Sequence, residues 1–421
     1  MFNKILKSKV FKNGMWLTLL QIVNTIIPLL TIPYITRVLG SSEYGIFSIS
    51  LNWILYLQVL VEYGFGLTGA RKVALIENNQ NKLNNLFNSI ISARIILLII
   101  SFVIMNIISL VSNFELKNYI CLLLLFMMIF GTTFQLTWLF QGKQDMKFIT
   151  IINVISRTIS VLLIFLLVKN EKDIYLYCLL YSMTLFLSSM ISMIVARKKY
   201  GLKYKFSNFK SICTEINDGK YLFASSAMTK IFSGFGITIL GIFSTSSITG
   251  IYSAIYKIPY VLTMFFSPIS QALFPYNSAK FKDGYINGKK NVKKIGMPIF
   301  CLFLFLSMII ITLHRQIVMV VFGSEYVNYS FIVIPLVFQF IFAVINNFLG
   351  IQILVASGNQ KLYSKSFSIG CISIIILNIV FGKKFGIYGV SFAAMIGEII
   401  LTLSLLNSII KIERNFKNEK N

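Results

Sequence analysis

Four basic residues lie within long apolar stretches of the sequence, where no water would stabilise their charge. A cation at the centre of a bilayer costs about 2.5–3.5 kcal/mol on insertion scales, so each calls for a partner, a water-filled cavity or a route to the membrane surface. Arg94 could reach the inner interface or face a cavity, whereas the other three are predicted to face a lumen. The four cations are Arg94, Arg157, Lys230 and Lys257.

Acidic residues are scarce in these stretches, and only Glu62 and Glu398 lie well inside them. Two acids cannot neutralise four bases, and unpaired positive charge in a low-dielectric cavity attracts an anionic passenger. A lipid pyrophosphate meets this requirement. Glu62 is expected near the cytoplasmic mouth, paired with Arg71. Glu398 is the favoured group for coupling transport to an ion gradient, and neutralising one of the buried cations is its alternative role.

The chain offers no recognisable catalytic or cofactor-binding constellation. Its five cysteines are scattered without a CxxC pair, and His314 is the only histidine. A zinc or thiol site is therefore not expected. There is no glycine-rich phosphate-binding loop, so nucleotide hydrolysis has no support. The sequence predicts a protein that is not an enzyme and that needs no cofactor or metal.

The elements that would position the charged residues are membrane-spanning helices. Of the 421 residues, 56% are hydrophobic and 13% are charged, whereas soluble domains carry about 25% charged residues. Apolar runs of about 18 to 25 residues are long enough to cross a bilayer. They predict an all-α membrane protein with about twelve transmembrane helices in two six-helix lobes around a central cavity. The predicted spans are 15–36, 46–66, 87–111, 118–140, 149–168, 174–196, 221–243, 249–273, 296–314, 331–355, 366–382 and 386–410.

The distribution of lysine and arginine predicts the orientation of the spans. With the amino terminus inside, 28 of the 39 basic residues fall in cytoplasmic segments and 7 fall in outer loops. Cytoplasmic loops of membrane proteins are rich in lysine and arginine, so both termini are predicted to be cytoplasmic. The same rule accounts for the net charge of +25 without a nucleic-acid partner.

An internal repeat supports a division into two halves. The segment Ser41–Ser48 recurs as Ser246–Ser253 with five identities, an offset of 205 residues. Both copies are expected in the outer turn that follows the first span of their half, as in transporters built from parallel repeats. The predicted organisation is an amino-terminal lobe over residues 1–196, a cytoplasmic linker over 197–220 and a carboxy-terminal lobe with its tail over 221–421.

Three asparagines are candidates for neutral polar groups of the lumen. Asn153 precedes Arg157 by four residues and would share its helix face. Asn52 occupies the position that the repeat pairs with a buried lysine, and Asn24 lies beside another such position. Each of the three could instead hydrogen-bond to a neighbouring helix.

The first predicted span carries polar residues and prolines that an ordinary lipid-facing anchor would lack, and it resembles the opening of bacterial polysaccharide flippases. These are the Wzx-type transporters of O-antigen or capsule repeat units, within the multidrug/oligosaccharidyl-lipid/polysaccharide exporter superfamily. The resemblance is carried by Leu20-Gln21-Ile22-Val23-Asn24, by Pro33-Tyr34-Ile35-Thr36-Arg37-Val38-Leu39-Gly40, by Tyr44-Gly45 and Ala70-Arg71, and in the second half by Gly250-Ile251-Tyr252, Ala254, Lys257-Ile258 and Pro275.

This resemblance implies a function in lipopolysaccharide or capsule biosynthesis at the bacterial inner membrane. The implied activity moves an undecaprenyl-pyrophosphate-linked oligosaccharide from the inner to the outer leaflet by alternating access. The resemblance also implies contact with membrane lipids, and a polysaccharide polymerase and glycosyltransferases as functional neighbours of the protein. The alternatives are a cation-coupled multidrug exporter of the same superfamily and a multi-span polysaccharide polymerase. A polymerase would need a larger external loop than the roughly sixteen residues near 315–330.

Overall fold

The computed structural model describes residues 9–76, 79–112 and 114–418, with side chains between 12 and 414. Throughout these residues the regular structure is helical, and no strand occurs in them. Apolar segments in a bilayer must satisfy their own backbone hydrogen bonds, and a helix does so within one segment. The fold class, an all-helical multi-pass membrane protein, is therefore confirmed. The two chain ends predicted to be cytoplasmic, residues 1–8 and 419–421, lie outside the described residues.

The first half of the chain forms the 3₁₀-helix Glu171–Asp173 and seven α-helices. The α-helices are α1 (Lys9–Glu62), α2 (Phe65–Leu75), α3 (Gln80–Val111), α4 (Leu116–Phe134), α5 (Thr137–Gly142), α6 (Met146–Leu167) and α7 (Ile174–Tyr200).

The second half forms eight α-helices, the 3₁₀-helix Ser330–Ile332 and one π-helical segment. The α-helices are α8 (Phe209–Phe243), α9 (Ser246–Ile255), α10 (Lys257–Phe281), α11 (Tyr285–Thr312), α12 (His314–Phe322), α13 (Ser324–Val327), α14 (Val333–Asn346) and α15 (Gln360–Asn418), and the π-helical segment Asn347–Val355 follows α14 directly.

Two glycines divide the longest helices into two crossings each. Gly40 interrupts α1 with a φ of 71°, and Gly386 interrupts α15 with a φ of 54°. Glycine adopts positive φ without the steric cost that a Cβ would bring. The turn between the last two spans therefore lies at Gly386, the first residue of the predicted last span, whereas residues 383–385 between the two predicted spans are helical. Both lysines can sit at a helix end because the turn follows them.

Among the described residues, nine helices are long and apolar enough to cross a membrane. Two of the nine are the divided helices α1 and α15, which supply two crossings each. Helices α9 and α10 together cover the predicted eighth span, with a break at Tyr256. The twelve predicted spans all have a helical counterpart. The predicted fourth span differs in being discontinuous, because the helix stops at Phe134 and resumes at Thr137.

The chain forms two compact units, Met1–Ser233 and Gly234–Asn421. The first contains α1 to α7 and the beginning of α8, and the second contains the end of α8 and all later helices. The predicted linker is mostly helical, since only residues 201–208 lie outside α7 and α8. The repeat offset of 205 residues recurs in the helix starts, because α3 begins at Gln80 and α11 at Tyr285. The division into six-helix lobes stays a prediction.

Candidate functional site

Arg157 and Asn24, two residues predicted to line the lumen, are in contact. The guanidinium Nη1 of Arg157 donates a hydrogen bond to Asn24 Oδ1, although 133 residues separate them. Both side chains are half-buried. Asn24 is neutral, and no carboxylate of the described chain forms an ion pair with Arg157. The charge of Arg157 is therefore positioned by the protein but not neutralised by it.

Helices α1 and α6 hold this pair between two further hydrogen bonds. The Thr150 hydroxyl donates to the Trp16 carbonyl at 2.7 Å on one side of the pair. The Tyr34 hydroxyl donates to the Val168 carbonyl at 2.6 Å on the other side. Each bond joins a side chain of one helix to the backbone of the segment opposite. The two helices thus run side by side through the region of Arg157, which fixes the position of its guanidinium.

Arg94 donates hydrogen bonds to backbone carbonyls at the break between α4 and α5. It is 4% exposed, and its Nη1 donates to the carbonyls of Thr132 at 3.1 Å and Gln135 at 2.8 Å. These carbonyls lie where α4 stops, so they lack the usual partners four residues on. Arg94 supplies the missing donors. Its side chain points into the unit, and the predicted alternative of reaching the inner interface is wrong.

Two glutamines extend the polar contacts around the α4 break. The Gln135 amide donates to Ser188 Oγ at 3.1 Å and to Asn153 Oδ1 at 3.4 Å. The Gln58 amide donates to Thr132 Oγ1 at 3.1 Å. Asn153, a predicted lumen residue, is thereby linked to the break. Neither glutamine was predicted as a site residue. A glutamine within an apolar span indicates a buried polar contact in the same way as the predicted asparagines do.

Glu62 lies in this polar region rather than beside Arg71. Its Oε1 accepts a hydrogen bond from Gln58 at 3.4 Å, and its charge interacts with those of Arg94 and Lys230. No ion pair between Glu62 and Arg71 is present in the described chain, so the predicted pairing is wrong. The side chains of Glu62 and Lys230 are exposed. The charge of Glu62 is therefore within electrostatic range of two of the four predicted cations.

The remaining predicted residues occupy different surroundings. Lys257 opens α10 directly after the break at Tyr256 and is half-buried, with its ammonium 5.5 Å from the centre of the Tyr260 ring. Asn52 is 5% exposed, within the second segment of α1. This burial favours the second interpretation of Asn52, as a residue that bonds within the helix bundle.

Glu398 is buried in the second unit and is held by a neutral partner. It is 5% exposed, and Asn346 Nδ2 donates to its Oε2 at 2.7 Å. Asn346 is itself fixed by the Thr402 hydroxyl, which donates to Asn346 Oδ1 at 2.7 Å. None of the ion pairs among the described residues includes Glu398. The predicted alternative of an ion pair with a buried cation is therefore absent from this structure.

Sequence comparisons relate the chain to glycan export. A protein-family model described as "Polysaccharide biosynthesis protein" matches residues 10–281. A protein of Escherichia coli (strain K12) named for O-antigen transport is 26% identical over 371 residues, covering 87% of this chain and 88% of that protein. A Haloferax volcanii protein named for a flippase of low-salt glycan biosynthesis is 26% identical over 397 residues, covering 91% of this chain and 80% of the relative.

Solved structures share the fold at low sequence identity. The lipid II flippase MurJ in an inward closed conformation gives a TM-score of 0.69 at 17% identity, covering 95% of this chain and 87% of that one. A multidrug resistance MATE transporter in an inward-facing conformation gives a TM-score of 0.64 at 13% identity, covering 93% and 99%. At these identities the likeness establishes the helical transporter fold alone.

Proposed function

The chain belongs to the polysaccharide biosynthesis protein family, and we propose that it moves a lipid-linked glycan across the bacterial inner membrane. It is a member of a transporter family and not an enzyme. The finer proposal is that an undecaprenyl-pyrophosphate-linked O-antigen or capsule repeat unit passes from the inner to the outer leaflet. The passage occurs by alternating access through a cationic lumen, with both termini in the cytoplasm.

The observation that carries this proposal is the contact of Arg157 with Asn24. A guanidinium that is held by a neutral amide keeps its full charge, and partial burial strengthens its attraction for an anion. A pyrophosphate offers several oxygens to the fork of donors on an arginine. Lys230 and Lys257 would add charge along the path of the same headgroup. Arg94 differs, because its Nη1 donates to backbone carbonyls at the α4 break, and its proposed role is to stabilise that break.

Glu398 is the proposed coupling group. A buried charge without a countercharge is costly, so a carboxyl group held only by an amide is suited to exchanging a proton during the transport cycle. Moving one charge through the membrane potential yields about 2.3 kcal/mol per 100 mV, which is enough to bias a conformational equilibrium. Glu62 lies near two cations and is the weaker candidate.

A cation-coupled multidrug exporter is the second candidate function, because the MATE likeness covers nearly the whole of both chains. The charge of the passenger separates the two functions. A lumen that contains Arg157, whose hydrogen-bond partner is a neutral amide, favours an anionic lipid, whereas multidrug exporters of this kind would expel cationic compounds. Resistance to cationic dyes in cells that express the chain is therefore the discriminating measurement.

The main experiment replaces the cations one at a time and measures polysaccharide on the cell surface. Arg157→Ala, Lys230→Ala and Lys257→Ala should each lower surface polysaccharide while the protein remains in the membrane. Arg157→Lys should restore part of the export. The attraction of the lumen for an anion depends on positive charge more than on the planar donor geometry of a guanidinium. Lys172→Ala removes an exposed charge from the loop before α7 and serves as the matched control. Full export by all three alanine variants would refute the cationic lumen.

A further inference from the structure

The second unit contains a groove whose lining includes none of the four cations. It lies between α10 on one side and α14 with the π-helical segment on the other, and its volume is about 580 Å³. Small-molecule sites typically measure about 300–1,000 Å³. No lining residue is charged. The groove is therefore large enough for a ligand but offers no positive charge to a phosphate.

The groove has hydroxyl and amide groups on both walls. Four polar residues of α10 recur at helical spacing and so share one face of that helix. The opposite wall adds the amide of Asn347. The five polar lining residues are Thr263, Ser267, Ser270, Gln271 and Asn347. Such groups bond to other uncharged hydroxyl and amide groups, both as donors and as acceptors.

Aromatic rings form much of the remaining wall. Phe266 and Phe274 belong to α10, and Phe340 belongs to α14. Phe266 and Phe340 are buried, so their positions are fixed by packing. Flat apolar rings beside neutral hydrogen-bonding groups complement a ligand that has both apolar C–H faces and hydroxyl edges.

The π-helical segment directs Asn347 into this groove. Asn346 turns towards Glu398, whereas Asn347 Oδ1 accepts a hydrogen bond from Ser270 Oγ at 2.7 Å. Gln352 fixes the other wall, since its amide donates to the Ser270 carbonyl at 2.8 Å. Within the described chain, the Asn347 amide nitrogen donates to no other residue. Asn347 is thus held by its oxygen and presents its donor to the groove. Segments of π-helix are frequent at functional sites.

We propose that this groove binds uncharged sugar residues of the transported glycan. The proposal rests on the proposed function and adds a glycan subsite whose lining includes none of the cationic residues. A polyprenyl chain fits the groove less well, because hydrocarbon cannot hydrogen-bond to the polar lining groups, of which the Asn347 amide nitrogen has no acceptor within the described chain. A sugar ring satisfies these groups with its own hydroxyls and covers the phenylalanine rings with its C–H faces.

Thiol labelling at the groove tests this subsite directly. Ser267→Cys places a small probe in the lining, in a background where the exposed Cys213 and Cys301 are changed to serine and the three buried cysteines remain. The purified full chain is labelled with a maleimide in the presence of three probes. These are the lipid-linked oligosaccharide extracted from cells that lack the transporter, the free oligosaccharide released from it by mild acid, and undecaprenyl pyrophosphate without sugar.

The sugar subsite predicts protection by the first two probes and none by the third. At about four times its dissociation constant, a probe leaves about one fifth of the sites free, so labelling should slow about fivefold. Protection by undecaprenyl pyrophosphate, without protection by the free oligosaccharide, would assign the groove to the lipid chain and overturn the proposal. Failure of all three probes to protect would also overturn it.

A matched pair of variants links the groove to transport. Ala343→Phe fills the groove from α14, and Ala272→Phe adds the same ring at an exposed position of α10 that does not line it. Ala343→Phe should lower export about tenfold and abolish the fivefold protection, whereas Ala272→Phe should leave both near the wild-type level. Equal export by the two variants would refute the subsite. If export still depends on Arg157, the proposed function survives that result. If export depends on neither Arg157 nor Ala343, the proposed function and the sugar subsite are both refuted.

Discussion

Replacing Arg94 with methionine tests whether this cation serves the backbone rather than the passenger. Methionine keeps most of the length of the side chain but donates no hydrogen bond. The carbonyls of Thr132 and Gln135 would then lose the donor that compensates for the end of α4. We expect the variant to be less stable and less abundant, with export reduced in proportion to the folded protein that remains.

The size of the loss follows from the two bonds at 2.8 and 3.1 Å. Hydrogen bonds between membrane helices average about 0.6 kcal/mol and reach about 1.7 kcal/mol. A buried carbonyl left without a partner costs about 1–3 kcal/mol. The two bonds together therefore correspond to about 2–3 kcal/mol of unfolding free energy. On the scale of soluble domains of similar size, the melting temperature should fall by about 5–10 °C.

Arg157→Met is the matched control, because it makes the same change in the same unit at a half-buried site. Arg157 bonds to one neutral side chain, so its loss should cost about 1 kcal/mol or less. Thermal unfolding of the detergent-solubilised protein, followed by size-exclusion chromatography, measures both variants. Arg94→Lys should recover part of the stability, since an ammonium lacks the planar fork of donors.

The expected result is a crossed pattern. Arg94→Met should lower the melting temperature and keep the transport rate per folded molecule, whereas Arg157→Met should keep the melting temperature and lose transport. An Arg94→Met protein as stable as the wild type but inactive would refute the backbone role. In that case Arg94 would be a ligand of the passenger, as the sequence alone also allowed.

Three further predictions follow from the topology and the charged groups. A reporter fused after Lys210 should score as cytoplasmic and one fused after Thr245 as external, and the reverse at either site would refute the orientation. Glu398→Gln should abolish any dependence of export on external pH while preserving the bond from its amide partner, and an unchanged pH profile would exclude the coupling role. Lys72 and Glu215 form an ion pair at 2.7 Å, so a double-mutant cycle should give a coupling of about 1 kcal/mol, and additive single effects would contradict the pair.

The sequence was sufficient for the fold class and for most of the spans. A bilayer forces each apolar run to satisfy its backbone internally, so hydropathy along the chain translates directly into helices. The same local reasoning located the repeat whose copies begin at Ser41 and Ser246 and follow the first turn of each half. The predicted last turn, at residues 383–385, was wrong. The two lysines there marked a polar connection, but the turn requires a positive φ, which Gly386 provides.

The sequence also identified chemically unusual residues but not their partners. A charge or an amide in an apolar run is visible locally, because its desolvation cost does not depend on which helix lies opposite. This is why Arg157, Asn24 and Glu398 could be selected as candidates. The contact between Arg157 and Asn24 spans 133 residues, and no periodicity along either helix specifies it.

The tertiary structure determined which of these charged residues are available to bind a ligand. Arg94 and Arg157 have the same side chain in similar apolar surroundings, yet one faces the carbonyls of a broken helix and the other a neutral amide. The break at Gln135 is contacted by Arg94 of α3, and the π-helical turn at Asn347 is contacted by Ser270 of α10, so both involve helices that are distant in the chain. Such packing selects among backbone arrangements of similar local energy, so the roles of these residues follow from the assembled helices rather than from the local sequence.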